Sequence, residues 1–280
     1  MGKLAWEPVV TGLLNSRTNK ARKTGLTMVI DNGLGLAATA DVLAMSGHLI
    51  DLWKFGVGTS AFVQRETLEK KIALLKQHDV TAFPGGTLLE VALLEHHSRV
   101  YLRHAKELGF SAVEISDGTI PVPRFRRKRI IKGALDAGLI AITEVGKKDP
   151  KHQPTLDCIA EEALADLEWG ATWVIIEGRE SGKGVGVYDE NGKVEEAAVA
   201  RLTELMGPRV VDLIWEAPLK LQQTFLIERF GPNVSLGNIH ADQVLALEAL
   251  RSGLRFETLH TISDDLVRSG RWDPNEIERG

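Results

Sequence analysis

Among its 280 residues the chain has a single cysteine, Cys158, so no intrachain disulfide staples it, and a reducing compartment suits it. No apolar run reaches the roughly 18 residues that cross a bilayer. Residues 1–10 carry no signal-like apolar core, so no membrane association and a cytoplasmic location are the expectation. Basic excess is missing too: 34 lysines and arginines face 38 aspartates and glutamates, a net charge of −4, which argues against a dominant nucleic-acid surface. The histidines show no metal-ligand spacing; His96 and His97 are adjacent and diverge on a helix. With 44% hydrophobic and 26% charged residues, the composition suits a globular protein with a sizeable core.

What is present is a repeated unit. Short apolar runs at about 26–31, 50–55, 80–84, 112–116, 139–145, 172–177, 210–216 and 234–238 read as strands. Helical spacing follows at 37–46, 65–78, 96–108, 124–137, 156–169, 195–206, 219–230 and 241–250. Eight strand-then-helix units imply a parallel sheet, and that number points to a closed (β/α)8 barrel, an α/β fold that typically takes about 250 residues as a single domain. The expected organisation is a lead-in over 1–24, the barrel over 25–253 and a C-terminal extension over 254–280. That charged extension makes a homo-oligomer plausible. The basic run Arg124, Arg126, Arg127, Lys128 and Arg129 reads as a solvated helix face.

Charge gathers where the apolar runs end: Asp31, Lys54, Glu90, Glu114, Asp117, Glu144, Lys148, Glu177, Glu216 and Asn238. In a (β/α)8 barrel those ends surround the catalytic face. The densest stretch is Ile142-Thr143-Glu144-Val145-Gly146-Lys147-Lys148-Asp149. If the strand stays extended, Glu144 and Lys148 share a face and Lys147 points away, which favours Lys148 as the site lysine. A lysine near carboxylates serves as a general acid or base once its pKa is tuned. Glu177-Gly178-Arg179-Glu180-Ser181-Gly182-Lys183-Gly184 offers two cations, a hydroxyl and glycines that let amides approach, a cradle for phosphate or another small anion. Its glycine spacing is not that of a Walker loop. Phe83-Pro84-Gly85-Gly86-Thr87 and the Gly56-to-Ser60 stretch read as tight turns. A carboxylate cluster without histidine or thiolate partners prefers a hard cation such as Mg²⁺.

Several uncommon words together resemble the phosphosulfolactate synthase family: Lys54-Phe55-Gly56 with Gly58-Thr59-Ser60, Pro84-Gly85-Gly86-Thr87, Val113-Glu114-Ile115-Ser116-Asp117-Gly118, Thr143-Glu144-Val145-Gly146-Lys147-Lys148, and Ile175-Ile176-Glu177 running on through Gly184. Glu216-Ala217-Pro218 with Gln222-Gln223, and Asn238-Ile239, fit as well, so the likeness covers roughly 25–255 in order. The resemblance implies a Mg²⁺-dependent lyase of the (β/α)8 class. Such an enzyme adds sulfite to phosphoenolpyruvate, giving (2R)-phospho-3-sulfolactate for coenzyme M or sulfolactate biosynthesis. It implies an enediolate-like intermediate, with the second lysine of the Glu-Val-Gly-Lys-Lys word, here Lys148, as proton donor beside Lys147 and Glu144. Arg179, Ser181 and Lys183, with Gly182, Gly184, Lys54 and Asn238, are the expected anion-binding set, and Glu114, Glu144, Glu177 and Asp31 the expected metal carboxylates. Departures accompany the likeness: Asn32 stands where the family has lysine, Val57 where it has tryptophan, and His240-Ala241-Asp242-Gln243 follows the eighth strand. They leave open a paralogue using another nucleophile or enol phosphate, or a silent barrel that binds.

Overall fold

The computed structural model describes residues 17–275 together with Ala5, Trp6 and Val9. Eight strands alternate with helices: β1 (Thr27–Asp31), α1 (Leu36–Ser46), β2 (Leu52–Phe55), α2 (Arg65–Gln77), β3 (Thr81–Pro84), α3 (Gly86–Leu94), α4 (Ser98–Glu107), β4 (Ala112–Ile115), α5 (Arg124–Asp136), β5 (Ile140–Val145), α6 (Leu156–Trp169), β6 (Trp173–Ile176), α7 (Glu196–Met206), β7 (Leu213–Glu216), α8 (Lys220–Phe230), β8 (Ser235–His240), α9 (Val244–Arg251) and α10 (Phe256–Arg268). Every ladder is parallel, in the order β3-β2-β1-β8-β7-β6-β5-β4. The two ends of that order meet where Ser111 N donates to the Ala82 carbonyl at 3.2 Å, so the barrel is nearly closed.

Alternation along the strands sorts side chains into two cores. Met28, Leu52, Phe83, Ala112, Ile142, Ile175 and Ile214 fill the inside. Their sequence neighbours Val29, Trp53, Ala82, Val113, Ala141, Val174 and Trp215 face outward into the larger core beneath the helices. The barrel is therefore a packed plug, and only its upper rim is free to be polar.

Local details bear on these readings. Residues 86–94, expected as a turn and its sequel, form α3, so Glu90 lies within a helix rather than at a strand end. The stretch Gly86-Thr87-Leu88-Leu89-Glu90-Val91-Ala92-Leu93-Leu94 is apolar nearly all round and has no helical period to detect. Gly56–Phe62 keeps the expected tight turn, with Val57 and Gly58 at φ +45° and +70°, and adds 3₁₀ turns around it. The C-terminal extension forms α10, which packs beside α8 and α9 and pairs Glu257 with Lys220. Most of the lead-in expected over 1–24 lies outside the described residues.

Candidate active site

One more step of the inward alternation carries Lys54, Glu114, Glu144 and Glu216 to the rim, and Glu177 stands one residue beyond β6. With Thr87, Lys148, Arg179, Ser181, Asn238 and His240 they line a cavity of about 630 Å3. At its floor the Lys54 ammonium contacts Glu114 Oε2 at 2.8 Å, Glu144 Oε2 at 3.0 Å and Glu216 Oε1 at 3.1 Å. Backbone and hydroxyl donors engage the remaining oxygens. Gly86 N donates to Glu114 Oε1 (2.7 Å), Ser116 Oγ to Glu144 Oε1 (2.9 Å) and Gly178 N to Glu216 Oε2 (3.0 Å). Glu177 Oε1 accepts from Arg179 N at 2.8 Å, while Glu177 Oε2 is buried without a hydrogen-bond partner.

β5 stops at Val145, and Gly146 takes a left-handed φ of +113°. A Cβ there would sit 2.8 Å from the Cβ of Glu177, so only glycine allows the two chains this approach. Beyond the turn, Lys148 Nζ lies 3.8 Å from Glu144 Oε1 and 3.4 Å from Thr87 Oγ1. The extended path behind the parity argument ends at Gly146, yet Lys148 does face the cavity. On the opposite rim Asn238 occupies a bulge: Thr27 pairs with Leu236 but Val29 with Ile239, so β8 carries one extra residue. Asn238 has φ +54°, its Nδ2 donates to the Arg179 carbonyl at 3.3 Å, and its Oδ1 is buried without a partner.

Burial lowers the affinity of Lys54 for its proton, but Glu114, Glu144 and Glu216 more than reverse this, and it stays charged. Burial also works against a charged Lys148, and Glu144, Glu177 and Glu114 outweigh it, so its pKa is raised. Among the acids, burial and the Glu144 charge push Glu114 up to about 7 against the pull of Lys54. Burial, Glu144 and Glu216 hold Glu177 well above the usual range. Burial pushes Glu144 up, but the charges of Lys54 and Lys148 outweigh it and drive Glu144 low. Of these three crowded carboxylates, Glu144 is the one held ionised.

Several expected site residues lie elsewhere. Asp31 has the outward parity of β1; its Oδ1 accepts from the amides of Gly33 and Leu34, and its Oδ2 from Trp53 Nε1 and from Lys71, which leaves no oxygen for a metal. Lys147 turns out of the cavity, donating to the Asp117 carbonyl at 2.6 Å and to Asp117 Oδ2 at 2.5 Å. Lys54 neutralises glutamates instead of standing free for a substrate anion. The glycine loop is folded rather than poised. Gly182 is buried with its carbonyl held by Gln222, Gly184 N donates to the Asp189 carbonyl, and Lys183 is exposed outside the cavity lining. Beyond Glu177, that loop lines the site with Arg179, Glu180 and Ser181 only. Glu90 caps the 119–120 amides and receives Ser116 Oγ. Asn32 is not part of the lining; it donates to Glu180 Oε1 at 2.6 Å, and Glu180 does line the cavity. Ser116 and His240 were not expected in the site. Ser116 shares the inward parity of Glu114, the signal that could have revealed it.

For Mg²⁺ the donor chemistry fits in part. Among the described residues no group of three or more His, Cys, Asp or Glu is arranged as a ready metal cage. Glu114 and Glu144 have both oxygens engaged, while Glu177 keeps one buried oxygen unpaired. Glu177 is thus the rim carboxylate with an oxygen to offer, and carboxylate oxygen suits a hard cation. Glu177 would hold the ion through that oxygen; Mg²⁺ commonly takes only one or two protein carboxylates.

Comparison with known proteins agrees with this geometry. Residues 15–257 match the family model described as (2R)-phospho-3-sulfolactate synthase (ComA). The chain is 44% identical over 236 residues to the phosphosulfolactate synthase of Methanocaldococcus jannaschii, covering 84% of this chain and 93% of that one. It is 41% identical over 249 residues to the enzyme of that name from Methanothermobacter thermautotrophicus, covering 88% and 96%. Among solved structures, a 3-hexulose-6-phosphate synthase superposes with a TM-score of 0.53 over 81% of this chain and 98% of its own; at 16% identity this shows the barrel fold alone.

Proposed function

The chain belongs to the (2R)-phospho-3-sulfolactate synthase family, and from that premise we propose that it adds sulfite to phosphoenolpyruvate. The observation carrying the reading is Lys148, a lysine not buried among the glutamates as Lys54 is, on the rim of a cavity whose other side presents Arg179, Ser181 and Asn238. Arg179 and Ser181 bind and orient the anionic substrate, the guanidinium being suited to phosphate or carboxylate oxygens. The sulfur lone pair of sulfite forms a bond to the methylene carbon. The π pair of the double bond moves toward the neighbouring carbon and its carboxylate, and Lys148 delivers its proton to that carbon. Its raised pKa keeps Lys148 charged at neutral pH, as a donor must be, and its partial exposure lets solvent restore the proton. Lys54 holds Glu114, Glu144 and Glu216 together beneath the reacting atoms. A bound Mg²⁺ would supply Lewis-acid stabilisation of the charge that develops on the substrate carboxylate.

Phosphorus NMR of protein, Mg²⁺, phosphoenolpyruvate and sulfite tests this. A new phosphate-ester signal that requires sulfite, with no free phosphate released, is the expected result. Lys148→Ala should lower the rate by about 10²–10⁴-fold with an unchanged circular dichroism spectrum. A folded Lys148→Ala protein with full activity would falsify the donor assignment.

A further inference from the structure

Lysine is a poor choice for placing a proton unless something fixes its base, because its four-carbon stem is flexible. Lys148 lies beyond the end of β5, after a glycine, so no sheet ladder fixes it. What holds the turn lies outside the cavity. Lys147 reaches across to the β4 loop and binds the Asp117 carbonyl (2.6 Å) and Oδ2 (2.5 Å). Asp117 Oδ1 faces Arg127 Nη1 at 3.4 Å. Arg127 is fully buried; its Nη2 donates to the Glu144 carbonyl at 3.0 Å and to Asp166 Oδ2 at 2.6 Å, and its Nε donates to Asp166 Oδ1 at 2.9 Å. Beside this chain of charges, Lys148 N donates to the Gly118 carbonyl at 3.0 Å. A Cβ on Gly118 would stand 3.3 Å from the Lys148 stem, so the side chain lies directly against that loop.

We propose that Lys147, Asp117 and Arg127 are positioning residues that set the aim of Lys148 by tying the β5 turn to the β4 loop. The inference rests on the reading of Lys148 as proton donor. Two physical arguments support it. Buried ion pairs of this kind contribute little net stability compared with apolar replacements, so stability alone does not account for a charge chain running behind the site. A displacement of about 1 Å at a reacting group costs on the order of 10²-fold in rate, so a device that fixes the turn matters to turnover. Lys147 thereby acts through its neighbour, not on the substrate.

The test compares Lys147→Met, Lys147→Arg and Asp117→Asn with the parent enzyme, by phosphoenolpyruvate consumption across pH. Lys147→Met is expected to lower kcat by about 10–100-fold, with KM for phosphoenolpyruvate within about twofold. Lys147→Arg should recover most of kcat, since guanidinium still bridges to Asp117. Asp117→Asn should repeat the kcat-only loss, and it carries the test should Lys147→Met not fold. Parental kcat in Lys147→Met or Asp117→Asn would overturn the proposal, as would a loss in which KM rises in proportion or which arginine does not restore. Lys148→Ala separates the two readings. If it remains active the donor assignment fails; if it is inactive while Lys147→Met is parental, only the positioning role fails.

Discussion

At the N-terminal end of the barrel, Arg251 is buried and donates to the carbonyls of Pro232 and Val234, at 2.5 and 2.6 Å, and of Leu26, at 3.2 Å. Lys20 likewise binds the carbonyls of Gly47 and His78, and Arg22 pairs with Asp51, which in turn accepts from Thr27 N. At the opposite end, Lys54 touches only side chains, and those side chains face a cavity. Both ends bury charge. The lower end commits it to backbone carbonyls and so closes the barrel. The upper end sets acid against base and leaves oxygen to spare. Buried charge bound to main chain holds a fold in place; buried charge bound to other ionisable groups beside open space can change protonation state and do chemistry.

The contrast can be broken at either end. The largest effect is expected from Lys54→Met, which strips three buried carboxylates of their cation. Loss of turnover and a stability loss of about 3–5 kcal/mol at pH 7 should follow, read by urea denaturation. Without the cation the carboxylates hold protons more tightly in the folded state, so this variant should be most stable near pH 4–5 and weaken as the pH rises. Arg251→Met at the lower end should cost about 3 kcal/mol by the same measurement, through its unpaired carbonyls, and leave kcat as it was. Equal kcat losses at both ends would remove the distinction.

A finer test uses Glu114, whose folded pKa is raised to about 7. Its proton is held more tightly in the folded state, so this contribution to stability is full below the ordinary carboxylate range and is lost as the pH rises through 7. Thermal unfolding of Glu114→Gln should therefore show a smaller decline between pH 4.5 and 7 than the parent. The smallest effect belongs to Asn32→Lys. A cation placed on Glu180 at the mouth should lower KM for phosphoenolpyruvate by about two- to fivefold at low salt, fading as salt screens the pair.

Much of the site could be read from strand parity. Leu52 and Lys54, Ala112 and Glu114, Ile142 and Glu144, and Ile214 and Glu216 each place an apolar residue and a charge on one face of a strand. The same rule, applied to Met28 and Ile30, sets Asp31 on the outer face, where Lys71 and Trp53 meet it; nearness to a strand end does not outweigh parity there. Glu90 was misplaced because α3 is apolar all round and carries no period. The glycines at 182 and 184 resembled an anion cradle, but Gln222 and Asp189, distant or unremarkable in the sequence, claim their polar groups.

By itself, then, the sequence determined the alternation of strands and helices and the inner face of each strand, because side-chain period depends on neighbours along the chain. Only the tertiary structure decided that Lys54 serves three glutamates, that Lys147 is tied to Asp117, and that one oxygen of Glu177 stays unpaired. Those outcomes depend on which strands become neighbours across a closed barrel, and on burial that makes each charge find a partner from a distant part of the chain.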